Sequence, residues 1–225
     1  IITSGMEKSG FAKRMALFIV SRFGTTAKKA LISLGVVNLL LAFVVPSTTA
    51  RAAMLLPICL MVLNVYQAVP GKSNFGKQLM IQEIHFNNIS TSGILTATAP
   101  QILAVGYILS MANVNVTWGE WFIASMPIAI LTLIASIIIG NILFKSEVKA
   151  PPSGAGDSGA QSLKDQLKEM GPISRNEIKA LCIFALTVFL WATDGHHIQL
   201  FGFQISLVMV ALLASALFFL PYVGI

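Results

Sequence analysis

Pro46-Ser47-Thr48-Thr49-Ala50-Arg51 interrupts two apolar stretches, residues 30–45 and 52–68, and the fold turns on how that interruption is read. At helical rise the two stretches reach about 24 Å and about 25 Å, against a hydrocarbon core of roughly 30 Å. Two half-length helices meeting at hydroxyls and a guanidinium are how secondary transporters present helix N-terminal N–H groups to an anion inside the bilayer. The spacing predicts a re-entrant hairpin over 30–69 with a polar tip. A two-span hairpin has the same parity, but the shortness of both arms and the missing extracellular loop favour re-entry.

The composition agrees with a membrane setting. Hydrophobic residues make up 56% of the 225-residue chain and charged residues 11%, with a mean hydropathy of +0.80, which excludes a soluble globular domain. The net charge of +6 does not point to nucleic acid, because Lys and Arg fall in loops between apolar spans without interleaved aromatics. Cys59 and Cys182 sit in apolar segments and read as small buried hydrophobes. There is no phosphate-binding Gly loop, nucleophile elbow or His-Glu-x-x-His helix, so no enzyme is expected. Asp194, His196 and His197 lack a third ligand at helical spacing and read as a solvated extracytoplasmic loop, not a metal site.

Along the chain, residues 1–29 carry six basic side chains beside a short apolar face, an interfacial arm that the positive-inside rule places in the cytoplasm. After the hairpin, Pro70-Gly71-Lys72-Ser73-Asn74 turns the chain on the same side. Residues 76–113 read as helix, but unbroken they would run about 55 Å, so a break is expected at 90–101, where Ser, Thr, Gly and Pro cluster. Trp118 and Trp121 anchor a transmembrane helix over 119–144, and 111–120 lacks Lys and Arg, as an outer loop should. Residues 145–178 read as a cytoplasmic linker, flexible at 151–159 and amphipathic at 163–170, and 179–225 as two more spans joined on the outer side. The membrane is a plasma (inner) membrane or an organelle's inner envelope. The chain has no starting Met and its last apolar segment runs to its end, which suggests an internal piece of a longer protein.

Ser47-Thr48-Thr49-Ala50-Arg51 with Leu56-Pro57-Ile58 resembles the Ser-Asn-Thr hairpin motif of the divalent anion/sodium symporter family, in the form of its citrate, tartrate and 2-oxoglutarate/malate translocator branch. Gly93 and Thr98-Ala99-Pro100-Gln101 are similar to that family's Thr-Pro-Pro-Asn helix break, and Gly171-Pro172-Ile173-Ser174-Arg175-Asn176-Glu177 to its cytoplasmic lead-in helix. The resemblance implies an all-α, polytopic transporter with inverted repeats. Each repeat supplies one re-entrant hairpin and one broken helix, usually in a homodimer, and small di- or tricarboxylates move by an elevator-like displacement. A second hairpin of this kind is absent from the sequence, so this stretch alone is not expected to transport. Substrate-binding candidates are Ser47, Thr48, Thr49 and Arg51 at the tip and Gly93, Thr98 and Pro100 at the break. Among the polar residues Glu83, His85, Asn87 and Asn88 before the break, His85 and Asn88 are candidates for a proton-linked or polar supporting role. Thr48 and Arg51 depart from the sodium-coupled pattern: one loses an amide oxygen, the other adds a fixed positive charge. The expectation is sodium-independent exchange of dicarboxylates, with sodium-coupled symport or inorganic-ion antiport as alternatives, and no cofactor.

Overall fold

The computed structural model describes residues 2–148 and 163–220. The linker expected at 151–159 and the last residues of the final apolar segment lie outside that range.

The described residues are helical throughout, without strands. The basic arm forms two helices, α1 (Ile2–Ser9) and α2 (Phe11–Phe23), not one. Gly10 separates them at φ 79°, a left-handed conformation that a side chain resists. In α2, Ala12, Ala16, Leu17 and Val20 share one buried face, while Phe18 and Phe23 point outward.

The hairpin is α3 (Ala27–Val44) and α4 (Thr48–Val65), 18 residues each and about 27 Å long, joined only by residues 45–47. Thr26 caps α3 by accepting from the Lys29 N–H, and Ser47 caps α4 by accepting from the Ala50 N–H. Helix α5 (Asn74–Ser92) ends at Gly93, a 3-10 turn follows at Leu95–Ala97, and α6 (Ala99–Ala112) resumes beyond Thr98. The break thus falls inside the expected 90–101. Helix α7 (Trp118–Leu143) is the longest, and Thr117 with Glu120 forms a capping box at its start. A short helix α8 over 163–169 precedes α9 (Arg175–Ala192). The chain then bends by 60° through Asp194–His196 into α10 (His197–Phe201), and α11 (Leu207–Phe219) follows.

By length and composition α3, α4 and α7 are each able to cross a membrane, and the bent α9–α10 pair is a fourth candidate; α6 and α11 are shorter. Helix α5 lies at the centre, packed most extensively against α3 and α7 and also against α4. Leu31, Leu34, Leu41, Leu55, Ile58, Phe75, Leu79 and Phe86 close this core, all fully buried. Close helix approach is bought with glycine at Gly140, where a Cβ would overlap the Gln82 amide that donates to the Ser136 carbonyl at 2.7 Å.

Two carboxylates tie sequence-distant segments together. Glu147, just beyond α7, accepts from the Ser73 hydroxyl and from the N–H groups of Asn74 (3.0 Å) and Phe75 (3.2 Å), closing the positive end of α5. Glu177 accepts from Arg14 Nε at 2.6 Å and from the Ser174 N–H at 2.6 Å, while the rest of the Arg14 guanidinium donates to the carbonyls of Met170 and Gly171. Burial pushes the Glu177 carboxyl up, but the Arg14 and Ser174 hydrogen bonds outweigh it and hold the carboxyl below its ordinary value.

Two sequence expectations need correction. Asp194 and His197 are buried, and only His196 is exposed as a solvated loop residue would be. The first N–H groups of α7 and the carbonyls beside the 60° bend both need partners. Asp194 accepts from the Trp118 N–H at 2.9 Å, and the His197 ring lies 2.9 Å from the Leu190 carbonyl and 3.2 Å from that of Ile205. Cys59 is buried as expected, but Cys182 is on the exposed face of α9, where a small apolar side chain is as compatible with lipid as with a core.

Candidate functional site

The tip of the hairpin rests against the end of α5, and the contact is made by polar groups. Helix α5 carries Glu83, Asn87 and Thr91 at intervals of four, which aligns them along one face toward α3 and α4. Asn87 Nδ2 donates to the Thr48 carbonyl at 2.9 Å, so α5 holds the first residue of α4 directly. Thr91 donates its hydroxyl to the Asn87 carbonyl at 2.7 Å.

Arg51, in the first turn of α4, is completely buried. One guanidinium nitrogen, Nη2, donates to Thr91 Oγ1, while Nε and Nη1 have no partner. Arg51 forms no salt bridge with any described residue. The Asn87 carbonyl oxygen of the side chain, the Ser90 hydroxyl and Gln101 Oε1 are buried without partners in the same neighbourhood, and Gln101 Nε2 donates to the Thr91 carbonyl at 2.9 Å across the break. A buried charge with open valences costs several kcal/mol, by order of magnitude, unless something completes it. The N–H groups of Thr48 and Thr49, first in α4, have no intrahelical partner either.

Behind the tip sits Glu83, 7% exposed. Asn38 Nδ2 of α3 donates to both of its oxygens, at 3.0 and 3.1 Å. Arg51 and Cys59 of α4 are its charged and titratable neighbours. An Arg and a carboxylate therefore share one buried region without pairing directly.

The remaining candidates fall at different distances from this network. Ser47 and Thr48 belong to it through the cap and the Asn87 contact; Thr49 is exposed on the outer side of the tip. Gly93 is buried against α7, where a Cβ would lie 3.2 Å from Ala129 Cβ and from Met126, a tight fit that a side chain could enter only by displacing those neighbours. Thr98 is extended and half-buried, and Pro100 is exposed in the first turn of α6. His85 and Asn88 point away from the tip. Asn88 bonds to its own helix at the Ile84 carbonyl, and His85 lines a cavity of about 270 Å³ with Gln82, Thr132 and Ser136 of the α5–α7 face. The residues the sequence reading left out of the site are Asn38, Asn87, Ser90, Thr91 and Gln101. The four-residue interval of Glu83, Asn87 and Thr91 was a usable signal for two of them, whereas Asn38 lies in another helix and had none.

A family model described as the sodium:sulfate symporter transmembrane region matches residues 1–223. The chain belongs to the sodium:sulfate symporter family. Membership makes this an integral membrane protein of a transporter family and not an enzyme, with the all-α polytopic fold that the motifs of the tip and break implied. Among relatives, a Cupriavidus necator protein described as a membrane protein is 29% identical over 224 residues, all of this chain and 42% of that one. An L-tartrate/succinate antiporter of Escherichia coli is 28% identical over 215 residues, 93% of this chain and 43% of its own. A Shigella flexneri protein of the same description is 27% identical over 215 residues, with the same coverage. The chain spans less than half the length of these family members.

Proposed function

We propose that this chain forms the anion-binding half-site of a dicarboxylate exchanger, with Arg51 as the fixed charge that meets a substrate carboxylate. The observation that carries this reading is the completely buried Arg51 guanidinium with two unpartnered nitrogens at the start of α4. A carboxylate completes those valences with charge-assisted hydrogen bonds, and the free N–H groups of Thr48 and Thr49 at the positive end of α4 add to the attraction. Ser47 and Thr48 hold the tip in shape, while Asn87, Thr91 and Gln101 connect it to the helix break. The Arg51 nitrogens are closed to solvent, so entry of an anion requires the tip to part from α5.

A fixed guanidinium supplies the positive charge that a bound sodium ion would otherwise provide, which favours sodium-independent exchange. The relatives named as L-tartrate/succinate antiporters support four-carbon dicarboxylates as the substrate class. In this reading α3 and α4 are a re-entrant hairpin, the basic arm and the 145–178 segment face the cytoplasm, and the intact protein works as a homodimer.

The test is uptake of radiolabelled succinate into proteoliposomes holding the intact transporter, preloaded with unlabelled tartrate or empty, with and without a sodium gradient. Exchange that needs internal dicarboxylate and no sodium, lost in Arg51→Ala and retained in Arg51→Lys, is the expected result. Unchanged exchange in Arg51→Ala overturns the role of Arg51, and sodium-driven uptake into empty vesicles overturns the exchange mechanism.

A further inference from the structure

A groove of about 660 Å³ runs between α2 and α3, with no residue of α5 in its lining. Its wall is apolar along its length: Ile32, Val36 and Leu40 of α3, four residues apart and each more than a third exposed, with Ile19 and Phe23 of α2. Arg22 and Lys29 line it too, in the last turn of α2 and the first turn of α3, so both cations stand at the loop end. From Lys29 to Leu40 the wall extends about 16 Å along α3.

Charge and depth identify the occupant. Neither cation has an acidic partner among the described residues, where the salt bridges are Arg14–Glu177 and Lys168–Asp165. Residues 1–29 hold six of the 15 basic side chains and one of the nine acidic ones. Helix α3 is long and apolar enough to cross a membrane, so a track that begins at its first turn and descends along it leads from the interface into hydrocarbon. A molecule with an anionic head and an aliphatic tail matches both ends, and basic side chains beside a membrane helix attract anionic lipid by about 1 kcal/mol each.

We propose that this groove binds an anionic phospholipid, its phosphate between Arg22 and Lys29 and one acyl chain along Ile32, Val36 and Leu40. The lipid fastens the arm helix α2 to the outer face of the hairpin without touching Arg51. The site does not depend on what the transporter carries.

The experiment is photo-crosslinking of the intact transporter in nanodiscs with phosphatidylglycerol or phosphatidylcholine carrying a diazirine on the acyl chain, with the labelled peptides mapped by mass spectrometry. Phosphatidylglycerol should label residues 30–42 in clear excess over phosphatidylcholine. Arg22→Ala and Lys29→Ala should each reduce that excess about fivefold, the equivalent of about 1 kcal/mol per cation. Val36→Trp, which fills the track and leaves the charges in place, should suppress labelling by both lipids. Equal labelling by the two lipids overturns the proposal, as does an excess that survives the double Arg22→Ala, Lys29→Ala variant. Equal loss in a Lys72→Ala, Lys145→Ala control overturns it in favour of diffuse attraction, and no labelling by either lipid overturns it in favour of cover by protein.

Discussion

Arg51 and Glu83 illustrate how single residues carry opposite risks in one buried region. Arg51 keeps two nitrogens open, whereas both oxygens of Glu83 accept from Asn38, with the Cys59 thiol as a further neighbour. Asn38→Leu keeps the volume but removes the donor, which should destabilise the protein by about 2 kcal/mol, seen as a lower melting temperature in detergent. Glu83→Gln preserves an acceptor for Asn38 and removes the negative charge near Arg51. Succinate affinity measured by scintillation proximity should then rise, because the substrate no longer competes with a protein carboxylate for the field of the guanidinium; a fall would mean that Glu83 assists binding. Gly93→Val forces atoms against Ala129 and Met126, already 3.2 Å from a bare Cβ, and should cost about 2 kcal/mol, seen as a lower melting temperature in detergent.

Helix α5 meets its neighbours through polar groups on two of its faces beside the apolar core of Phe75, Leu79 and Phe86. One face meets the hairpin through Glu83, Asn87 and Thr91, and another meets α7 through Gln82. Its existence as a helix and its break before Thr98 were legible from length, from Gly93 and from Pro100. The four-residue interval put Glu83, Asn87 and Thr91 on one face but did not tell which neighbour that face would meet, since His85 and Asn88 offer equally polar groups at another azimuth. At the helix ends the carboxylates Glu147 and Glu177 sit below their ordinary values: for both, burial is outweighed by hydrogen bonds from Ser73, Asn74 and Phe75 in one case and Arg14 and Ser174 in the other. A depressed carboxylate contributes stability above its unfolded pKa of about 4.3 and loses it as pH falls through the folded value. Melting temperature should therefore drop on going from pH 6 to below about pH 4. Glu177→Gln should flatten part of that drop while lowering stability at neutral pH.

Across the whole molecule, the hairpin and the outer helices pose different problems. Helix α6 buries none of its residues, with Leu103, Tyr107 and Met111 between 62% and 85% exposed, so its apolar surface requires lipid or further protein around it. The membrane path proposed for α3 and α4 is tested by cysteine labelling in inside-out and right-side-out vesicles. Thr49→Cys at the exposed edge of the tip should react slowly with an impermeant maleimide and be protected by succinate, while Asn115→Cys should react freely from the outside; rapid, unprotected labelling of position 49 from the outside would identify two full spans instead. Composition, hydropathy and the Pro46–Arg51 interruption by themselves determined that this is a helical membrane protein with a polar hairpin tip and a broken helix, because apolar run length and helix-breaking residues are local properties of a chain. Tertiary structure alone decided that Arg51 meets Thr91, that Asn38 serves Glu83, that Arg14 reaches Glu177, and that Asp194 and His197 are buried. Each of those depends on which faces of two distant helices are brought together, and a hydrogen bond across 40 or 163 residues leaves no period in the sequence to read.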